Sequence, residues 1–377
     1  MAKVAFVSIM WHSRFVEELG VEYLTAVLRK ETNHEVRIFY KFPEDNYNDF
    51  FQQVIGFNPD IVGISLSHKY TGLEPLYAGA SLLKEKLPEV YLCIGGIFAS
   101  TNAENIMRKI QEVDCVFLGE SENIIVDFVD KVINHQSIDA LDGVVYRCEN
   151  GTLKTIPKKN FIMDLDAIPF PARDYMEEDW FKNDPFKMVN LMGSRGCHGH
   201  CHFCNVPSMY AVYGTEHCWR GRSIANIVDE MEYLYKEHGV LIFSFNDSSF
   251  EDAMPLTEGK KRLATFANEI LKRGLRILWT CCFRAETFKN NKEDIELIEL
   301  MVKSGLYNLL IGVEAGNKRA LNNFSKRATI SDNYQSIEIF DRYPVYISKG
   351  FIMFTPQSTP SLLRDNLEFA HKIGLDQ

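Results

Sequence analysis

Cys197, Cys201 and Cys204 fall within Gly193–Cys204, which reads G-S-R-G-C-H-G-H-C-H-F-C, so their spacing is C-x3-C-x2-C. Spacings this short put three thiolates on one tight loop, where a single metal centre can collect them. Thiolates are soft donors that select zinc, copper(I) or iron–sulfur clusters. Structural zinc takes four ligands, usually as two separated pairs. No second C-x2-C follows here, so a zinc finger fits poorly. A cubane iron–sulfur cluster usually takes four cysteines; with three, one iron stays open to something other than protein. His198, His200 and His202 interleave the cysteines and read as residues of an exposed loop.

The elements that position this loop are strand–helix units. Val189, Leu191 and Met192 put the cysteines at the end of a strand. Ser223 caps a helix whose apolar stripe is Ile224, Ile227, Val228, Met231, Leu234 and Tyr235. Strands are expected at Leu241–Asn246, Ile277–Cys282, Tyr307–Val313 and Val345–Phe354. Helices are expected at Lys261–Arg273, Ile295–Lys303, Lys318–Arg327 and Leu362–Ile373. Repeated units of this kind predict a complete or partial triosephosphate-isomerase-type barrel, whose chemistry sits at the carboxyl ends of the strands. Those ends carry Asp247 in Phe245-Asn246-Asp247-Ser248, Arg284 after Cys281-Cys282-Phe283, and Gly312-Val313-Glu314-Ala315-Gly316. A carboxylate there accepts from ammonium or hydroxyl, and an arginine pairs with a carboxylate through two hydrogen bonds. Five units are visible before Gly374-Leu375-Asp376-Gln377, where a sixth strand would begin. The barrel is therefore truncated or closes differently.

Residues 1–140 alternate strands (Lys3–Ile9, Glu35–Tyr40, Asp60–Leu66, Val90–Ile94, Val113–Leu118) with helices, the first presenting Val16, Leu19, Tyr23, Val27 and Leu28 on one face. This predicts a doubly wound parallel α/β sheet that binds ligands beyond the strand carboxyl ends. Ser65-Leu66-Ser67, Gly95-Gly96 and Gly119-Glu120 lie there, and small residues let a ligand approach the backbone. Residues 141–188 read as a hairpin turning at Asn150-Gly151, then a linker stiffened by Pro169 and Pro171. Residues 189–377 form the second domain.

The cysteine pattern after a strand, with Phe203 before the last cysteine, resembles the signature of radical S-adenosylmethionine (radical SAM) enzymes. The resemblance implies a 4Fe–4S cluster on Cys197, Cys201 and Cys204 whose open iron is chelated by SAM, which one electron cleaves to a 5′-deoxyadenosyl radical. It implies that Phe203, Asp247, Arg284, Gly312, Glu314 and Gly316 line the SAM site: the second strand end meets the amino group, a cation past the third meets the carboxylate, and the acid after the fourth meets the ribose. The first domain is similar to cobalamin-binding domains, which implies that Ser65, Ser67, Gly95, Gly96, Gly119 and Glu120 line the slot for the cobalamin tail. Such domains carry Asp-x-His-x-x-Gly after the first strand. Here Met10-Trp11-His12-Ser13-Arg14-Phe15 keeps the histidine without its aspartate or glycine, so cobalt is expected to lack a protein nitrogen.

Composition is that of an ordinary globular protein: 377 residues, 46% apolar and 24% charged. A net charge of −10 argues against a nucleic-acid partner, which needs a basic surface. No apolar run approaches a membrane span. The start, M-A-K-V-A-F, lacks a signal-peptide layout, and nine cysteines then point to a reducing cytoplasm rather than a disulfide framework. Cys93, Cys115, Cys148, Cys218, Cys281 and Cys282 read as structural. The whole reads as a cobalamin-dependent radical SAM enzyme that methylates an unactivated carbon of a small molecule or peptide, fed by a flavodoxin- or ferredoxin-type electron donor. A cyclisation or rearrangement without methyl transfer, and a non-catalytic cobalamin-binding or sensing protein, are the alternatives.

Overall fold

The computed structural model describes residues 1–9, 18–66, 69–212, 214, 219–251 and 255–375, the side chains of 69–75 excepted. Two compact units emerge, Met1–Asn183 with Ser208–Glu216, and Asp184–Pro207 with His217–Gln377.

The first unit alternates β1 (Lys3–Ile9), α1 (Leu19–Glu31), β2 (Glu35–Lys41), α2 (Tyr47–Phe57), β3 (Ile61–Ser65), α3 (Lys69–Lys86), β4 (Tyr91–Gly95), α4 (Ile97–Lys109), β5 (Cys115–Phe117) and α5 (Ile125–Ile133), then adds the hairpin β6 (Val144–Arg147) and β7 (Leu153–Ile156). The sheet order is β2-β1-β3-β4-β5-β6-β7. β1 to β5 run parallel and β6 and β7 antiparallel. The chain leaves β1 on one side and returns to it on the other, so the strand order switches between β1 and β3, where such sheets bind ligands. Val7, Ile64 and Leu92 pack on one face with Phe51, Leu83 and Met107 of α2, α3 and α4. Phe6, Ile38 and Phe117 pack on the other with Leu28 and Phe128 of α1 and α5. Each such fully buried side chain is worth about 1.5–3 kcal/mol over its exposed state.

The units divide in sequence at Asn183, so the hairpin and most of the segment read as a linker belong to the first unit. β6 registers against β5, with Cys115 opposite Tyr146. Tyr175 and Trp180 lie edge-on to Tyr40 and Phe42, with ring centroids 5.5 and 5.7 Å apart. Asp174 pairs with Arg29 at 2.6 Å.

After the short helix α6 (Asp179–Lys182), the second unit contains β8 (Met188–Leu191), β9 (Ser194–Arg195), α7 (Asn205–Val212, whose last turns count with the first unit), β10 (Arg220–Gly221), α8 (Ile224–His238), β11 (Ile242–Phe245), α9 (Leu256–Lys272), β12 (Leu278–Arg284), α10 (Lys292–Lys303), β13 (Leu306–Glu314), α11 (Lys318–Asn323), α12 (Ile330–Phe340), β14 (Tyr346–Phe351) and α13 (Pro360–Lys372). β8, β11, β12, β13 and β14 form one parallel five-stranded sheet in chain order, a partial barrel as the strand–helix pattern predicts. Trp279 and Phe245 face α9, their rings 5.2 and 5.5 Å from that of Phe266. Between them, Ser244, Thr280 and Asn308 form a shorter, more polar row on the other face, in register across β11, β12 and β13. Among the described residues, no helix is long and apolar enough to cross a membrane.

Candidate active site

The cysteine loop leaves the carboxyl end of β8 through Gly193-Ser194, and Asp247 holds that exit. One Asp247 oxygen accepts the Gly193 N–H at 2.9 Å, and the other accepts the Ser194 hydroxyl. The Gly193 carbonyl in turn takes the Arg222 N–H at 2.9 Å and an Arg262 N–H at 3.0 Å. Asp247 is fully buried, and burial pushes its carboxyl from 3.8 up to about 6 against those two hydrogen bonds. Each of its oxygens thus accepts one hydrogen bond from the loop base. Asp247, expected at the SAM amino group, also anchors the cysteine loop.

Within the loop, the Gly199 and Val206 N–H groups point at Cys197 Sγ and Cys204 Sγ, at 3.2 and 3.5 Å. A Cβ on Gly199 would lie 3.3 Å from Cys197 Sγ and 3.7 Å from Cys201 Sγ, so those two sulfurs flank the space left by the missing side chain. Burial raises the pKa of Cys201, with Lys326 pulling it down and Cys204, Glu314 and Glu286 pushing it up; these groups therefore share one neighbourhood. Three soft thiols, N–H···S contacts and a side-chain-free centre suit an iron–sulfur cluster. Among the described residues, no three His, Cys, Asp or Glu side chains already converge as closely as a bound ion requires, so the fit rests on the donor set rather than on a preformed cage.

His202 is no free loop residue. Its N–H donates to the Phe324 carbonyl at 3.0 Å. Its ring meets the Asn323 carbonyl through Nδ1 and the Ser325 hydroxyl through Nε2, both at 2.9 Å. A carbonyl only accepts, so Nδ1 carries the proton. Phe203 lies edge-on to Phe324 at 5.3 Å and remains 44% exposed. The loop is thereby docked on the turn that ends α11.

The next residue, Lys326, pairs with Glu314 at 3.1 Å, both side chains being nearly buried. Glu314 has φ +60°, a left-handed conformation rare outside glycine, at a register shift between β13 and β14. A Cβ on Gly312 would sit 2.4 Å from Glu314 Oε1 and 2.9 Å from Lys326 Nζ. Gly312 is therefore the floor under this ion pair. Asn333 donates to the Val313 carbonyl at 2.8 Å, and Asn366 accepts the Gly316 N–H at 2.9 Å. A Cβ on Gly316 would strike Phe369 Cβ at 2.3 Å. Gly316, expected to line the SAM site, lies close against α13.

Arg284 stands opposite Gly312 in the register, with its Nε 3.7 Å from Glu251 and 3.8 Å from Glu286. Glu251 is fully buried and accepts from the Arg284 N–H at 3.0 Å, the Thr287 hydroxyl at 2.7 Å and the Ser249 hydroxyl at 2.9 Å. The sequence marked neither Glu251, tied to Arg284 and Thr287 33 and 36 residues on, nor Lys326, tied to Glu314 12 residues back. Cys281 is buried, and Cys282, on the more open face, has its thiol pushed up to about 11 by burial.

In the first unit Ser65, Gly95, Gly96, Gly119 and Glu120 gather at the carboxyl ends of β3, β4 and β5. The Ser65 hydroxyl donates to Glu18, the residue before α1. Among the described residues, no heavy atom outside its chain neighbours lies within 4 Å of where a Gly95 Cβ would be, leaving space at the end of β4. Gly96, at φ +102°, lies against the Leu66 backbone, which a Cβ would meet at 2.8 Å. The Gly119 N–H donates to Ser100 Oγ at 2.9 Å, and Ser100 also donates to the Gly96 carbonyl at 2.8 Å. Ser100, which the sequence did not mark, ties the ends of β4 and β5 together. Glu120 accepts the Ile162 N–H at 3.2 Å, which holds the connector. The space at Gly95 suits a cofactor tail. Ser67, His12 and Cys218 lie outside the described residues. Cys93 and Cys115 are buried neighbours in register, with thiols raised by burial.

Residues 14–129 match the B12 binding domain family, and residues 191–370 match the radical SAM superfamily. The chain is a radical SAM protein with a B12-binding domain. This radical SAM protein is 28% identical over 359 residues to an uncharacterized methyltransferase of Pyrococcus horikoshii, covering 95% of this chain and 74% of that one. It is 25% identical to the anaerobic magnesium-protoporphyrin IX monomethyl ester cyclase of Rubrivivax gelatinosus, covering 98% of this chain and 65% of that one. Its fold matches OxsB, a cobalamin-dependent S-adenosylmethionine radical enzyme solved with aqua-cobalamin and S-adenosylmethionine bound, with a TM-score of 0.80 at 20% identity. That match covers 98% of this chain and 52% of OxsB, so the radical SAM protein spans about half the length of this structural relative.

Proposed function

We propose that this protein is a cobalamin-dependent radical SAM methyltransferase acting on an unactivated carbon of a small molecule or peptide, in the cytoplasm, with electrons from a flavodoxin- or ferredoxin-type donor. The observation that carries the reading is the pairing, in one chain, of a B12-binding domain with a radical SAM domain whose strand end bears Cys197, Cys201 and Cys204. With its cofactors bound, such a protein draws on a cluster and SAM for hydrogen-atom abstraction and on cobalamin for the methyl group. The three cysteines would hold the cluster. Glu314, on its strained turn, would present its carboxylate to the SAM ribose, and Arg284 its guanidinium to the SAM carboxylate. Phe203 and Gly312 would flank that site. Ser65, Ser67, Gly95, Gly119 and Glu120 would border the cobalamin tail.

The methyltransferase relative supports methyl transfer. The cyclase relative supports a second reading, radical cyclisation without methyl transfer. Product analysis after anaerobic reconstitution with methyl-labelled SAM, cobalamin and candidate substrates separates them. Methyl transfer predicts label in the product, with 5′-deoxyadenosine and S-adenosylhomocysteine in about equal amounts. Turnover that leaves the product unlabelled supports the cyclisation reading instead.

A further inference from the structure

We propose that Lys326 sets the reduction potential of the cluster held by Cys197, Cys201 and Cys204. The proposal rests on the cluster reading above. Its geometry runs through His202, which sits between two of the cysteines and makes three hydrogen bonds, to Asn323, Phe324 and Ser325. These fix the loop against the turn that Lys326 completes. The Lys326 N–H is itself tied to the Leu321 carbonyl at 2.9 Å, and Ser325 adopts φ +53°. The ammonium cannot swing into solvent: its side chain is 8% exposed, bonded to Glu314 at 3.1 Å, and seated over Gly312. The ammonium is thereby fixed beside the turn on which the cysteine loop is docked.

A charge fixed in a low-dielectric site acts strongly on its neighbours. Reducing the cluster adds one negative charge beside the loop. A buried ammonium stabilises that reduced form and raises the potential; the Glu314 carboxylate opposes it. Removing the lysine removes the stabilisation and uncovers the carboxylate, so both changes act in the same direction.

The test is redox titration of the reconstituted full chain without SAM, followed by the cluster's electron paramagnetic resonance signal and an iron count. Lys326→Met is expected to shift the reduction equilibrium at least tenfold towards the oxidised cluster, about 59 mV lower for one electron. Lys326→Arg keeps the charge and should restore the wild-type value. Glu314→Gln should raise the potential, and it decides the matter alone if Lys326→Met does not fold. A loaded Lys326→Met cluster at the wild-type potential overturns the proposal, and where that variant does not fold, a Glu314→Gln cluster at the wild-type potential does. Wild-type protein that takes up no iron overturns the cluster reading and this proposal with it.

Discussion

At the scale of single residues, the site is organised by groups whose charge or missing side chain shapes their neighbours. Asp247 is the clearest case. Its carboxyl is raised from 3.8 to about 6 by burial, so the folded protein favours its protonated form. The associated stability is present below about pH 4 and is lost as pH rises through about 6. Between pH 5 and pH 8 the wild type should lose about 1.4 kcal/mol that Asp247→Asn keeps. Denaturant unfolding of both proteins across that range measures the difference; parallel profiles would contradict the burial account. Gly312 offers a second test. The atoms its Cβ would meet are the tips of Glu314 and Lys326, and flexible tips can move. Gly312→Ala should cost no more than about 1 kcal/mol of stability while weakening SAM binding at least about tenfold, which calorimetry on the reconstituted protein would read. Asp247 was legible in the sequence as a residue at a strand end. Its partners, Gly193 and Ser194, lie 54 and 53 residues away, so its anchoring role was not. Lys326 was read as helix, because nothing local marks a lysine that folds back over a glycine.

At the scale of elements, β13 and the turn after it carry the design. Val313, Ala315 and Gly316 are held by side chains from α12 and α13: Asn333 donates to the Val313 carbonyl, and Asn366 accepts from the Gly316 N–H. In contrast to Gly312, the obstacles at Gly316 are Phe369 Cβ and the Asp365 carbonyl, which cannot yield without moving α13. Gly316→Ala should therefore cost about 2 kcal/mol or more. Asn366→Ala, which leaves buried polar groups unpaired, should cost about 3 kcal/mol. Thermal unfolding of both variants beside Gly312→Ala checks the ranking, and a Gly316→Ala as mild as Gly312→Ala would refute it. The strands were legible because buried parallel strands are apolar runs. Two of the helices that went unread had visible caps. Asn46 caps α2 by accepting from Asn48 and Asp49, and Thr329 with Asp332 forms a capping box at the start of α12. Their apolar faces are short, and periodicity alone did not find them. The segment read as a linker packs on the first unit through aromatic contacts between residues more than a hundred positions apart, which no local pattern encodes.

At the scale of the whole molecule, two domains with different cofactor chemistries share one chain, and the cysteine loop is where the account is most exposed. Replacing Cys197, Cys201 and Cys204 together with alanine should abolish iron binding, against about four irons per chain in the anaerobically reconstituted wild type; iron retained by the triple variant would remove the loop from the mechanism. The most direct measurement of the central claim needs no knowledge of the substrate. The full chain is reconstituted anaerobically with iron, sulfide and cobalamin, reduced, given methyl-labelled SAM, and its nucleoside products are quantified over time. The account predicts that the same protein releases 5′-deoxyadenosine, by reductive cleavage of SAM, and up to one equivalent of S-adenosylhomocysteine per bound cobalamin, by methyl transfer. If 5′-deoxyadenosine accumulates and S-adenosylhomocysteine does not, although cobalamin is bound, the methyltransferase account is contradicted.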